Sequence, residues 1–172
     1  MRSARKASFA TGALLMLAVA ASGQPRSPTG REMGDHGHMG HMHGEGMMGM
    51  SMVRHQYVMR NGIPPAYRDL HNPIEPTPET LAAGRKVYEA NCAVCHGPQG
   101  HGDGPGAKGL SPPPANIAAL VRMRPMATDA YLAWTIGEGG VPVGSAMPAF
   151  KSILSETERW QLIRYLQQDL GR

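Results

Sequence analysis

Apolar positions recur at helical spacing in three stretches of the chain, and no run of alternating β-branched residues marks a strand. In the first stretch Leu81, Gly84, Val87 and Tyr88 share a face behind Thr77-Pro78, an N-cap followed by a first-turn proline. The second runs from Thr128 to about Gly137, with Leu132 and Ile136 facing inward. The third opens on Ser155-Glu156-Thr157-Glu158, a capping box in which Ser and Glu satisfy each other's orphan amides. Behind it Leu162, Ile163, Leu166 and Leu170 lie on one arc, with Trp160 and Tyr165 at its edges. Gly- and Pro-rich loops, Gly97 to Pro114 and Gly137 to Pro148, separate these elements. The pattern predicts an all-α fold.

The same pattern divides the chain. Residues 1–23 carry a basic start (Arg2, Arg5, Lys6), an apolar run from Phe9 to Ala21 and a small-residue end, Ala20-Ala21-Ser22-Gly23, the form of a secretory signal. The run is short for a membrane span, which needs ~20 residues, so export to the periplasm without a stable anchor is expected. Residues 24–52 are rich in Gly, His and Met and have neither periodicity nor bulk for a core, which predicts disorder. Residues 53–76 carry repeated prolines and read as an extended strap or linker, because each Pro biases its predecessor away from helix. Residues 77–172 form the compact domain.

Charge alters little. The chain has 17 Lys+Arg against 13 Asp+Glu, and removal of Arg2, Arg5 and Lys6 with the signal leaves 14 against 13. A mature protein near neutrality gives no ground for nucleic-acid binding. Aromatic residues make up only 5% of the chain, and one of the two Phe lies in the signal. So small and loop-rich a domain needs something besides side chains at its centre.

Cys92-Ala93-Val94-Cys95-His96 supplies it. C-x-x-C-H is the attachment signature of c-type haem: two thiols reach the two vinyl groups of one porphyrin, and the adjacent imidazole reaches the iron. These are the only two Cys in the chain. A disulfide between them would close too short a loop to stabilise much and would leave His96 unexplained. A thioredoxin-like pair would need a βαβ setting. A zinc site would need further well-spaced ligands.

From Thr77 to Gly171 the chain resembles the class I cytochrome c family. The residues that carry the resemblance are "GRKVYEANCAVCHG", "GHGDGPGAKGLSPPPAN", "GSAMPAF" and "ERWQLIRYLQQ", in the order helix, C-x-x-C-H, loop, helix, Met-Pro, helix. It implies a small fold of three to four helices around one covalent haem c. Gly84 and Tyr88 would lie where the first helix crosses the last, near Trp160 and Tyr165. Cys92, Cys95 and His96 would hold the haem. Met147, before Pro148, matches the second axial ligand, and Met ligation raises the potential. Met123 and Met126 are rival thioethers, and His101 is expected to face solvent. In the family a loop proline carbonyl fixes the haem histidine's tautomer, and Pro112 is the candidate here, within a residue or two along Pro112-Pro113-Pro114.

With both axial positions filled, the expectation is a one-electron carrier rather than an enzyme. It would be monomeric or transiently docked on redox partners through a small interface, serving a larger oxidoreductase. The alternative rests on the tail, where seven Met and four His fall between Met33 and Met52. Thioether and imidazole suit copper, so His36, His38, Met39, His41, Met42, His43, Met47, Met48, Met50 and Met52 are candidate ligands. The protein would then handle copper, with the haem in a redox or sensing role.

Overall fold

Thr77, Thr128 and Ser155 each turn an oxygen onto an amide of the helix they precede, and those three caps begin the three longest helices of the fold. The computed structural model of the protein describes residues 52–170 and residue 172. Among the described residues the order is α1 (Val53–Asn61), α2 (Pro65–Arg68), α3 (Pro78–Asn91), α4 (Ala93–His96), α5 (Ile117–Leu120), α6 (Asp129–Glu138) and α7 (Glu156–Gln168), joined by loops and short 3-10 turns, with no strand. The domain is all-helical, as a cytochrome c fold requires.

α3 and α7 cross at Gly84. A methyl group there would stand 2.2 Å from the Gln161 carbonyl oxygen and 2.7 Å from Tyr165 Cβ, so the absent side chain lets the two backbones meet. Tyr88 packs its ring against Tyr165 at 5.6 Å between centroids, and its hydroxyl donates to the Gly97 carbonyl at 2.6 Å. Leu162, Ile163, Leu166 and Leu170 are buried, as the arc predicts. Trp160 and Tyr165, expected at its edges, are buried too. The segment before α3 lies against the Trp160 backbone: Asn72, itself buried, donates from Nδ2 to the Trp160 carbonyl at 2.9 Å. Arg164 donates to the carbonyls of Asn72 at 3.0 Å and Ile74 at 2.6 Å, and the Asn72 amide donates to Asp129 at 2.8 Å. These bonds hold residues 72–74 against α6 and α7.

The segment expected to be extended begins instead as a helix. The first proline after Met52 is Pro64, so no proline biases Val53–Asn61 away from helix. Along α1, Arg54, Tyr57 and Val58 follow the i, i+3, i+4 spacing that gives one face. Tyr57 stacks on Trp134 of α6 at 5.4 Å, and Arg54 lies over the same indole at 4.6 Å. Gly62, at φ 72°, ends the helix. Pro65 then takes the first position of α2, where its missing N–H costs nothing.

α2 is tied to the end of α6 by a polar cluster. Tyr67 donates to Glu138 Oε1 at 2.5 Å, and Lys151 donates to Glu138 Oε2 at 2.8 Å. The Lys151 ammonium, then the Tyr67 hydroxyl, holds the Glu138 carboxyl below the ordinary carboxylate range. Burial and the bond to Glu138 push the Tyr67 phenol up to about 12, so it remains a donor. A carboxyl whose folded pKa is depressed stabilises the fold above its unfolded pKa, and that stability is lost as pH falls through the folded value. Lys151 is largely exposed, which limits the effect to about 0.5–1 kcal/mol. Glu138→Gln is therefore expected to flatten the loss of stability below about pH 5. Urea midpoints measured along an acid series check it, and parallel curves for the two proteins would refute it.

Candidate functional site

Cys92 closes α3, its amide donating to the Tyr88 carbonyl at 2.8 Å, and the chain turns at once into α4. His96 donates its amide to the Cys92 carbonyl at 2.9 Å, so Cys92, Cys95 and His96 occupy i, i+3 and i+4 of one helical turn and share a face. Gly97, at φ 76°, stops the turn. The following loop returns over it: Gly102 donates to the His96 carbonyl at 2.8 Å and Gly104 to the Cys95 carbonyl at 3.1 Å. Carbonyls left over at the helix end are thus satisfied without a longer helix.

His96 Nδ1 donates to the Ala115 carbonyl at 2.9 Å. That bond fixes the ring and leaves Nε2 as the free nitrogen. The acceptor expected from the sequence was Pro112 or a residue or two beyond it. The loop carries the chain past the proline run before a carbonyl comes into reach, and Ala115 takes the role, immediately ahead of the Asn116 cap of α5. Burial holds His96 below the ordinary imidazole range, partly offset by the bond to Ala115. Burial, then the neighbouring Cys95, pushes the Cys92 thiol up to about 12. Imidazole and thiol are therefore neutral at the site.

Met147 lies on the loop between α6 and α7. Its carbonyl accepts from Gly140 at 2.7 Å, which fastens that loop to the end of α6. Cys92, Cys95, His96 and Met147 all line one cleft, about 1140 Å³ including its open mouth, whose walls are mainly apolar. Of the rival thioethers, Met126 is 3% exposed and also lines the cleft, whereas Met123 packs part-buried against the core. His101 is exposed. Val53 and Arg54 of α1 and Thr135 of α6 line the cleft as well, and nothing in the sequence reading singled them out. For Arg54 the one available signal was its spacing to Tyr57 and Val58.

This donor set fits haem c. Two thiols at C-x-x-C spacing, an imidazole with one nitrogen held back, a thioether and an apolar wall are what covalent haem with His/Met ligation uses.

Residues 79–166 match the family model described as cytochrome c oxidase, cbb3-type, subunit III. The chain belongs to this cytochrome c family. A cytochrome c domain of this kind binds haem c. The cytochrome c subunit of the quinone alcohol dehydrogenase of Gluconobacter oxydans (strain 621H) is 31% identical over 96 residues, covering 52% of this chain and 18% of that protein. The cytochrome chain thus spans less than a fifth of that relative's length. A solved reducing HAO-like protein complex of Kuenenia stuttgartiensis is 28% identical, with 58% of this chain and 47% of that chain covered and a TM-score of 0.45.

The copper candidates His36, His38, Met39, His41, Met42, His43, Met47, Met48 and Met50 lie outside the described residues. Met52 lies within them, part-buried against the core, with its carbonyl accepting from Gln56 at 2.9 Å at the start of α1. Among the described residues no group of three or more His, Cys, Asp or Glu is placed to hold a metal ion. None of their helices is long and apolar enough to cross a membrane.

Proposed function

We propose that this protein is an exported electron carrier, with one haem held covalently by Cys92 and Cys95 and ligated by His96 and Met147. The observation that carries the reading is that these four residues, separated by up to 55 positions (92 to 147), line one apolar cleft in which His96 has a single nitrogen left for the iron. Bound haem supplies a one-electron ferric/ferrous couple. The chain's own part is to hold it: α4 presents two thiols and an imidazole together, the Ala115 carbonyl keeps the imidazole oriented, and Gly140 anchors the loop that presents Met147. With both axial positions occupied by side chains, no position remains for a substrate, which favours electron transfer over catalysis. The leader-like pattern of residues 1–23 supports a periplasmic location. The likeness to the cytochrome c subunit of a quinone alcohol dehydrogenase supports service within a larger oxidoreductase.

Visible spectra of protein exported in a haem-maturing host test this. The expected result is a pyridine haemochrome of the c type, sharp low-spin bands on reduction and a weak far-red iron–thioether band on oxidation. A non-covalent haemochrome would overturn the attachment. High-spin bands would overturn the Met147 ligation and reopen catalysis at the iron.

A further inference from the structure

Two side-chain polar atoms among the described residues are buried without a hydrogen-bond partner, Arg54 Nη1 and Thr135 Oγ1. Both belong to residues that line the cleft of Cys92, Cys95, His96 and Met147. Other parts of the Arg54 guanidinium have partners. Its Nη2 donates to the Gly139 carbonyl, and its flat face rests on Trp134 at 4.6 Å. Those two contacts fix the plane of the fork and explain how α1 is fastened to α6. They do not explain Nη1.

The charge is unexplained as well. No carboxylate among the described residues forms an ion pair with Arg54, and no Asp or Glu lines the cleft. Burial pulls the guanidinium below its ordinary value, partly offset by Tyr131. A cation taken out of water is stabilised by an anion beside it, and a rigid guanidinium fork matches the planar geometry of a carboxylate. Thr135, on α6 beside the helix turn that carries Trp134, and Arg54, on α1, line the same cleft, so the lone hydroxyl and the lone N–H both belong to its wall. Haem carries two propionate carboxylates on an otherwise apolar ring.

We infer that Arg54 and Thr135 bind a haem propionate, so that α1, outside the residues matched by the family model, completes the cofactor site. This rests on the haem c reading above. Arg54 acts as a positioning residue and a source of fixed positive charge, tuning the potential without touching the iron.

The experiment is a set of spectroelectrochemical titrations of the holoprotein and its Arg54→Gln, Arg54→Lys and Thr135→Val variants across the acid-to-alkaline range. Propionate bending modes are read in parallel by resonance Raman. The pyridine haemochrome of the wild type is taken first; failure to find covalent haem there would overturn the function as well as this inference. With haem present, Arg54→Gln is expected to lower the potential at neutral and alkaline pH, because loss of a nearby positive charge favours the ferric state. The potential should climb back toward the wild-type value as the propionate protonates in acid. The other titratable groups lining the cleft are Cys92, Cys95 and His96, committed to haem, and Tyr131, which burial pushes up. A new mid-range titration would therefore belong to the propionate. Arg54→Lys should restore part of the potential, and Thr135→Val should shift it less, in the same direction. A potential–pH profile of Arg54→Gln superimposable on wild type, with unmoved propionate modes, would leave Arg54 as a mere fastening for α1 and sink the inference. Should Arg54→Gln fail to fold, unchanged profiles and Raman modes in both Arg54→Lys and Thr135→Val would sink it equally.

Discussion

Met147→Ala is expected to leave haem attached through Cys92 and Cys95 while the reduction potential falls by a few tenths of a volt, within the ~0.8 V range that axial ligands command. A thioether is a soft, neutral donor that favours the ferrous state, and its removal also frees the position it held. The loop should keep its course, because the Gly140 amide bonds to the Met147 carbonyl and not to its side chain. Packing loss adds a smaller effect, below the ~2–5 kcal/mol of a fully buried Met→Ala, since Met147 is only part-buried. Potentiometry and the far-red band of the oxidised protein decide the matter. The open position should also bring peroxide turnover that the wild type lacks. If band and potential survive, the thioether on the iron is not Met147. Met126, buried and lining the same cleft, would then be the residue to replace.

Gly84→Val is expected to abolish folding, and Gly84→Ala to cost up to about 2 kcal/mol, the upper end of overpacking less what Ala gains over Gly in a helix. The Cβ of either residue would stand 2.2 Å from a backbone oxygen and 2.7 Å from a backbone carbon of Gln161, atoms that cannot rotate away. α3 and α7 would have to separate, and the core between them, including Tyr88, Leu162 and Ile163, would open. Overpacking of this kind costs ~1–3 kcal/mol or more. Against it stands the ~1 kcal/mol that Ala gains over Gly within a helix. At ~4–8 °C per kcal/mol in a small domain, Gly84→Ala should melt up to roughly 8–16 °C below wild type. Circular dichroism of the apo- and holoproteins measures it. A melting point within a degree or two of wild type would mean that the helices part easily and that the close approach contributes little.

Helices whose signals are local were legible from the residues alone. Thr77-Pro78, Thr128 and the Ser155–Glu158 box act on amides within one turn, so α3, α6 and α7 begin where their caps stand. The C-x-x-C-H spacing likewise needs only one helical turn to bring Cys92, Cys95 and His96 to a common face. Tertiary structure decided whatever depended on two distant segments meeting. Which carbonyl holds His96 followed from the path of a loop rich in Gly and Pro, and Ala115 rather than Pro112 arrived within reach. The helix α1 was illegible because the face it packs on α6 is carried by Arg54 and Tyr57, amphipathic side chains whose sequence reads as polar. Trp160, expected at an edge, is buried, and Asn72 reaches its carbonyl from far along the chain. Periodicity records which side of an element is apolar. It carries no record of what covers that side, because the partner is chosen by packing across the whole chain, and here that choice brought α1 and Arg54 to the cleft wall.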